Sequence, residues 1–128
     1  MKFKVLVLDP DDAFRTELSA ALRACGYVVE EGSDGRAVGA ANEPTDVLIV
    51  EMLMPEEDGL EAIRAARQRW PSVRVLAMTA GRAALTSDYL LGLAAHLGAD
   101  ATFDKAAPID IIFATLRSWR PGASARGA

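Results

Sequence analysis

Cysteine is almost absent: Cys25 is the only one in the 128 residues, so no internal disulfide can form, and a reducing, cytoplasmic setting is the expected one. Its neighbours mark it as a small buried hydrophobe rather than a reactive thiol. Histidine is equally scarce. His96 stands alone, which excludes a histidine metal cluster, and its place late in a helical pattern reads as a surface or packing role. Basic runs are missing too. With 14 Lys and Arg against 18 Asp and Glu the formal charge is −4, and no Lys/Arg run is longer than two, so the footprint of a direct nucleic-acid binder is absent. Long apolar runs are also lacking. Lys2, Lys4 and Asp9 bracket a stretch of only Val5 to Leu8, too short for a signal segment or a membrane span.

What is present is an ordinary globular balance, 51% hydrophobic and 25% charged, at a length suited to one core. The runs Val5–Leu8 and Val47–Val50 are continuously apolar and rich in β-branched residues, the pattern of strands covered on both faces of a parallel sheet. Val73–Met78 is similar, interrupted only by Arg74. Tyr27–Glu31 and Ala101–Phe103 are shorter or more polar, which suits the sheet edges.

Between these lie helical patterns. Phe14, Leu18, Ala21, Leu22 and Cys25 share one helix face, with Asp11 or Asp12 as N-cap and Gly26 as the stop. Asp58 and Glu61 resemble a capping box ahead of Leu60, Ile63 and Ala66, and Pro71 forbids continuation past Trp70. Pro108 suits a first helical turn, followed by Ile109, Ile112, Leu116 and Trp119 on one side and ended by Pro121. Segments 33–42 and 87–97 complete the alternation. Strand and helix alternate five times, which predicts an α/β, flavodoxin-like doubly wound parallel sheet of order 2-1-3-4-5, with its site beyond the carboxyl ends of the strands. One domain over residues 1–120 and a disordered small-residue tail over 121–128 are expected.

The residues just past the central strands are Asp9 and Asp11, Glu51, Thr79 and Lys105. Carboxylates, a hydroxyl and an ammonium converging on one crevice are chemistry for a divalent cation and a phosphoryl-like anion. Residues 3–119 resemble the receiver domain of two-component response regulators. The resemblance is carried by Val5-Leu6-Val7-Leu8-Asp9, Met54-Pro55-Glu56-Glu57-Asp58-Gly59-Leu60, Met78-Thr79-Ala80, Gly98-Ala99-Asp100 and Phe103-Asp104-Lys105. It implies an aspartate at the end of the third strand that takes a phosphoryl group from a histidine kinase with Mg²⁺ held by an acidic pair. It also implies a Thr and a Lys that contact the phosphoryl oxygens and reshape the face of the fourth helix, fifth strand and fifth helix. Acting through that face, the chain would be a signalling module and not an enzyme, with a kinase, effector or regulator protein, or a second copy, as partner.

The departures from that pattern set the expectations. Glu51 stands at the phosphoacceptor position, its carboxylate displaced by up to about 1.5 Å, one C–C bond. In-line transfer tolerates such misplacement poorly. Pro10 stands where the second acid of the pair belongs, with Asp11 one residue on, so Mg²⁺ binding is expected to be weak and Asp9 and Asp11 are its candidate ligands. Thr102 occupies the aromatic switch position and Ala106 replaces the usual proline after the lysine. The stretch from Thr79 to Gly98 is longer than usual by about one helical turn. Glu51 is therefore expected to reach Lys105 and partly imitate a phosphorylated site, although a carboxylate brings one charge against roughly two for a phosphoryl group.

Three alternatives remain at this level. A conventional receiver would use a neighbouring acid such as Asp11 or Asp12. A haloacid-dehalogenase-like phosphohydrolase is raised by Leu8-Asp9-Pro10-Asp11, but that family expects a lysine before its late acids, whereas Lys105 follows Asp100 and Asp104. A flavin binder is disfavoured by acid where a phosphate cradle needs Gly, Ser or Thr. Bland roles stand beside these: Asp11 and Asp12 as capping acids, Thr79 as a strand end, Lys105 as a surface lysine, Met52 and Met54 as packing. Trp70 and Trp119 read as core edges, the latter with Arg117 and Arg120 as a possible partner patch.

Overall fold

A computed structural model of the chain describes residues 2–42, 44–54 and 58–121. The elements are β1 (Lys4–Leu8), α1 (Asp12–Ala24), β2 (Val28–Gly32), α2 (Arg36–Ala40), β3 (Val47–Glu51), α3 (Gly59–Arg69), β4 (Arg74–Thr79), α4 (Ser87–His96), β5 (Ala101–Asp104) and α5 (Asp110–Trp119). All strand pairs are parallel, and the sheet order is β2-β1-β3-β4-β5, as expected.

The central strands alternate between two cores because successive side chains point to opposite faces. Val5, Val7, Val47, Ile49, Leu76 and Met78 meet Leu18 and Leu22 of α1 and Ile112 and Leu116 of α5. Leu6, Leu8, Leu48, Val50, Val75 and Ala77 meet Val38 of α2, Ala62, Ile63 and Ala66 of α3, and Ala94 of α4. Covering both faces is what makes every residue of β1 and β3 buried. The edge strands β2 and β5 are each only partly buried.

Local chemistry sets the helix ends. Asp11 caps α1, its carboxylate accepting from the Phe14 N–H at 3.1 Å. Asp58 does the same for α3 through the Glu61 N–H at 2.9 Å, and Pro71 follows the Trp70 C-cap. Asp100 fastens the α4–β5 corner, with Oδ2 accepting from the Val75 N–H at 2.7 Å and Arg67 alongside at 3.3 Å.

Several expectations shift. β2 begins one residue late: the Tyr27 N–H donates to the Leu22 carbonyl of α1 at 3.2 Å, and the ladder starts at Val28. The helix expected over 33–42 contracts to five residues with Val38 as its buried contact. Cys25 is exposed, not buried: the residue is the C-cap of α1, just past the helical stripe, where the chain turns at Gly26. Trp70 is buried and Trp119 half-buried against the α1 and α5 side, while Arg120 stacks on Tyr27 at 4.8 Å. Residues 55–57 of the loop after β3 and the tail beyond Pro121 lie outside the described residues.

Candidate functional site

The sheet order creates the site. β1 and β3 are neighbours whose helices leave in opposite directions, so their carboxyl ends flank an open crevice. Asp9 follows β1, Glu51 ends β3, Thr79 ends β4 and Lys105 follows β5, and all four line one cleft of about 160 Å³ with Pro10, Asp11, Leu53 and Arg82 also on its wall.

At its centre one ammonium serves two carboxylates. Lys105 Nζ lies 2.6 Å from Asp9 Oδ2 and 2.7 Å from Glu51 Oε1. The remaining oxygens are taken by backbone donors: Asp9 Oδ1 accepts from the Asp11 N–H at 2.9 Å, and Glu51 Oε2 from the Leu53 N–H at 3.0 Å. These three charged side chains are almost wholly out of water. The Phe14 ring, 4.6 Å from Nζ, covers the ammonium from the α1 side.

The electrostatics follow from this crowding. Burial pushes the Asp9 carboxyl above its ordinary value; the Lys105 contact and the Asp11 N–H oppose the shift, and the Glu51 charge reinforces it. Burial works against the Lys105 ammonium, but its bonds to Asp9 and Glu51 outweigh it and hold the lysine above its ordinary value.

The walls are built to keep these positions. The Thr79 carbonyl accepts from the Lys105 N–H at 3.1 Å, tying β4 to the lysine, and Thr79 Oγ1 accepts from the Gly81 N–H at 3.1 Å. Gly81 has φ +74, and a Cβ there would meet the Ser87 nitrogen at 2.5 Å, so the β4–α4 loop requires glycine. Asp104 holds the next residue in place: its Oδ2 accepts from the Ser87 hydroxyl at 2.8 Å and its Oδ1 from the Ala106 N–H at 2.9 Å. Those donors keep the Asp104 carboxyl below its ordinary value. On the other side Arg15 donates to the Asp9 carbonyl at 2.6 Å.

The residues singled out from sequence do not all converge. Asp9, Glu51, Thr79 and Lys105 do. Asp11 touches the cleft wall, but its carboxylate is exposed and occupied with the α1 cap. Thr102 is exposed on β5, away from the cleft lining. Phe14, Arg15 and the Leu53 N–H were not foreseen as site groups. Phe14 stands one turn beyond Asp9–Asp11, a position that could have flagged it, whereas a backbone donor leaves no letter in the sequence.

A divalent cation in this crevice would need oxygen ligands free to turn toward it. The arrangement does not fit one: Pro10 offers no carboxylate, Asp11 caps a helix, and the ammonium of Lys105 sits between the two inward acids. Among the described residues no cluster of three or more His, Cys, Asp or Glu side chains is placed to hold a metal ion. No helix among the described residues is long and apolar enough to cross a membrane.

Comparison with known proteins agrees with the fold. The family model described as the response regulator receiver domain matches residues 5–117. The response regulator MprA of Mycolicibacterium vanbaalenii is 32% identical over 120 residues, 92% of this chain and 50% of that protein. The chain thus spans about half the length of the curated relatives it matches. The chemotaxis protein CheY4 of Vibrio cholerae superposes with a TM-score of 0.80 at 26% identity, over 94% of this chain and 100% of that one. A Burkholderia pseudomallei response regulator, described with a phosphorylated aspartic acid, a calcium ion and citrate, shares the fold with a TM-score of 0.75 at 23% identity, covering 98% of this chain and 71% of that one. With its sheet order, its strand-end crevice and these matches, the chain belongs to the response regulator receiver domain family of two-component signalling.

Proposed function

We propose that this receiver works in the cytoplasm without acquiring a phosphoryl group, as a non-enzymatic module that signals through protein contact at its α4–β5–α5 face. The observation that carries the reading is the 2.7 Å contact between Glu51 Oε1 and Lys105 Nζ. A permanent anion there engages the lysine that a phosphoryl group would otherwise attract. The route outward runs from Lys105 through the Thr79 carbonyl to β4, and from Asp104 through Ser87 to the start of α4. With Thr102 at the aromatic position, the exposed site on β5 has no ring to swing, and Phe103 beside it is fixed in the core, so the face holds one arrangement. Mg²⁺ is not required in this reading, since Lys105 supplies the positive charge between Asp9 and Glu51. A kinase, an effector or another regulator protein is the expected partner class, with no direct nucleic-acid or membrane contact.

The test is treatment with acetyl phosphate or beryllofluoride plus Mg²⁺, read by intact mass and by amide NMR. No adduct and no ordering of the cleft are expected. An adduct on Glu51, Asp11 or Asp12 would restore the conventional receiver. Magnesium-dependent hydrolysis of a generic phosphomonoester, abolished by Asp9→Asn, would instead revive the phosphohydrolase.

A further inference from the structure

The amino ends of the strands carry a second cavity. Ahead of β1 and β2, the rings of Phe3 and Tyr27 lie 6.1 Å apart and both residues are buried. Beside them Lys2, Phe3, Arg120 and Pro121 line a cavity of about 280 Å³. β1 is five residues long, so this corner and the crevice lie roughly 17 Å apart along the strand, at about 3.3 Å per residue. The corner is remote from Glu51 and lies at the C-terminal end of α5, where that helix meets β1 and the α1–β2 turn.

Among the described residues none with a carboxylate lines this cavity. The Arg120 guanidinium sits over the Tyr27 ring, 4.8 Å from its centroid, and its N–H donors meet no acceptor among the described residues. Lys2 is exposed, as is Arg117 one turn back on α5, and neither enters an ion pair there. The acids of the adjoining elements are mostly engaged: Glu30 with Lys4, Glu31 with Arg15 and Arg23, Asp46 with the Lys4 N–H, and Asp100 with Arg67 and Arg74. Glu17, exposed on α1, is unpaired as well, one acid against three cations. Positive charge is thus left without a counter-ion on a chain whose net charge is −4.

We infer that this corner docks a carboxylate-bearing segment of a partner protein. A guanidinium already held over a ring loses little freedom on binding, and its edge matches a carboxylate in a two-pronged contact. Lys2 supplies a second cation at the same cavity, while Phe3 and Pro121 give it an apolar side for the residue next to the acid. A polyanion fits less well. Nucleic acid or an anionic bilayer extends far beyond the corner and meets the field of the whole acidic chain, whereas a short segment with one or two acids answers to the local cations. This surface is separate from the α4–β5–α5 face and does not depend on the state of the crevice.

The experiment titrates the full chain, at physiological salt, with a synthetic peptide carrying Glu-Leu-Glu in a Gly/Ser frame and with its Lys-Leu-Lys counterpart, read by amide NMR. Shifts are expected at residues 2–3, 27–28 and 117–120 with the acidic peptide and none there with the basic one. Binding should weaken roughly tenfold in Arg120→Gln and about threefold in Lys2→Gln, an exposed site whose change leaves the fold intact. Equal binding of the basic peptide at these residues, shifts confined to other faces, or affinity unmoved by both variants would overturn the inference. So would a single-stranded oligonucleotide that displaces the acidic peptide at equal concentration, which would make the corner a nucleic-acid site. Concentration-dependent dimerisation that protects the same residues would overturn it too, since the occupant would then be a second copy.

Discussion

The crevice at the ends of β1 and β3 and the helix α4 beside it are opposite kinds of surface. In the crevice nearly every polar group is committed to another: Lys105 to Asp9 and Glu51, their second oxygens to backbone N–H groups, Thr79 to Gly81. On α4 and its ends Leu85, Tyr89 and Leu97 stand exposed beside Asp88 and His96. In most proteins the polar crevice would be the place that awaits a ligand and the helix the finished part. In the proposed function these roles are exchanged: the crevice is the closed part and the neighbouring face the one that meets a partner.

The comparison is broken most severely at Lys105. Lys105→Ala leaves two buried carboxylates facing each other without a cation, and a loss of about 3 kcal/mol at neutral pH is expected from urea unfolding. The pH dependence gives the claim a signature. Asp9 has a folded pKa raised above its ordinary 3.8, so its ionised form costs stability at neutral pH, and that cost disappears as pH falls through the raised value. Lys105 has a folded pKa raised above 10.5, so its contribution is complete below that value and is lost as pH climbs past it. The gap between wild type and Lys105→Ala should therefore narrow at both extremes. A gap that stays constant across pH would mean the lysine contributes packing and not charge.

A smaller effect is expected at the loop that joins the two regions. Gly81→Ala places a side chain at φ +74 and against the Ser87 nitrogen, so about 2 kcal/mol should be lost. Amide shifts should move at Thr79 and at the start of α4 together, because the loop is held between them. Shifts confined to the loop itself would show that crevice and helix are not mechanically joined.

Asp11 sharpens the same comparison from the side of the acids. Asp11→Ala should cost about 1 kcal/mol by removing the α1 cap, and Asp11→Ser, which retains an acceptor, should recover most of it. If both variants lose stability only when Mg²⁺ is present, Asp11 is a metal ligand and the capping role is secondary.

Which parts of this were legible in the sequence depends on whether a physical demand falls on side chains or on backbone. Burial on both faces forces continuous apolar residues, so Val5–Leu8 and Val47–Val50 announced β1 and β3, and with them the sheet order. Strand ends then fixed which residues meet, which made Asp9, Glu51, Thr79 and Lys105 readable as a group. The donors from Asp11 and Leu53 that complete the two carboxylates are peptide N–H groups, which any residue supplies, so nothing marked them. Phe14 sat on a stripe that reads as core, and only the packing of α1 shows it facing Lys105. Cys25 satisfied the same stripe by spacing, yet it lies one residue past the helix, where spacing stops predicting direction. The periodicity of α4 was weak for a related reason: a helix with apolar residues around most of its surface offers no contrast between faces.

The smallest effect expected is at Tyr89. If its ring belongs to an unoccupied face, Tyr89→Gln removes no buried contact and should change the unfolding free energy by no more than about 0.5 kcal/mol, as surface substitutions do. The same substitution would still weaken docking, because the cost then falls on a contact made only with the partner. A stability loss above about 1 kcal/mol would mean that Tyr89 packs within the chain in solution, in the range of lost buried contacts. In that case α4 is as finished as the crevice, and the contrast between them disappears.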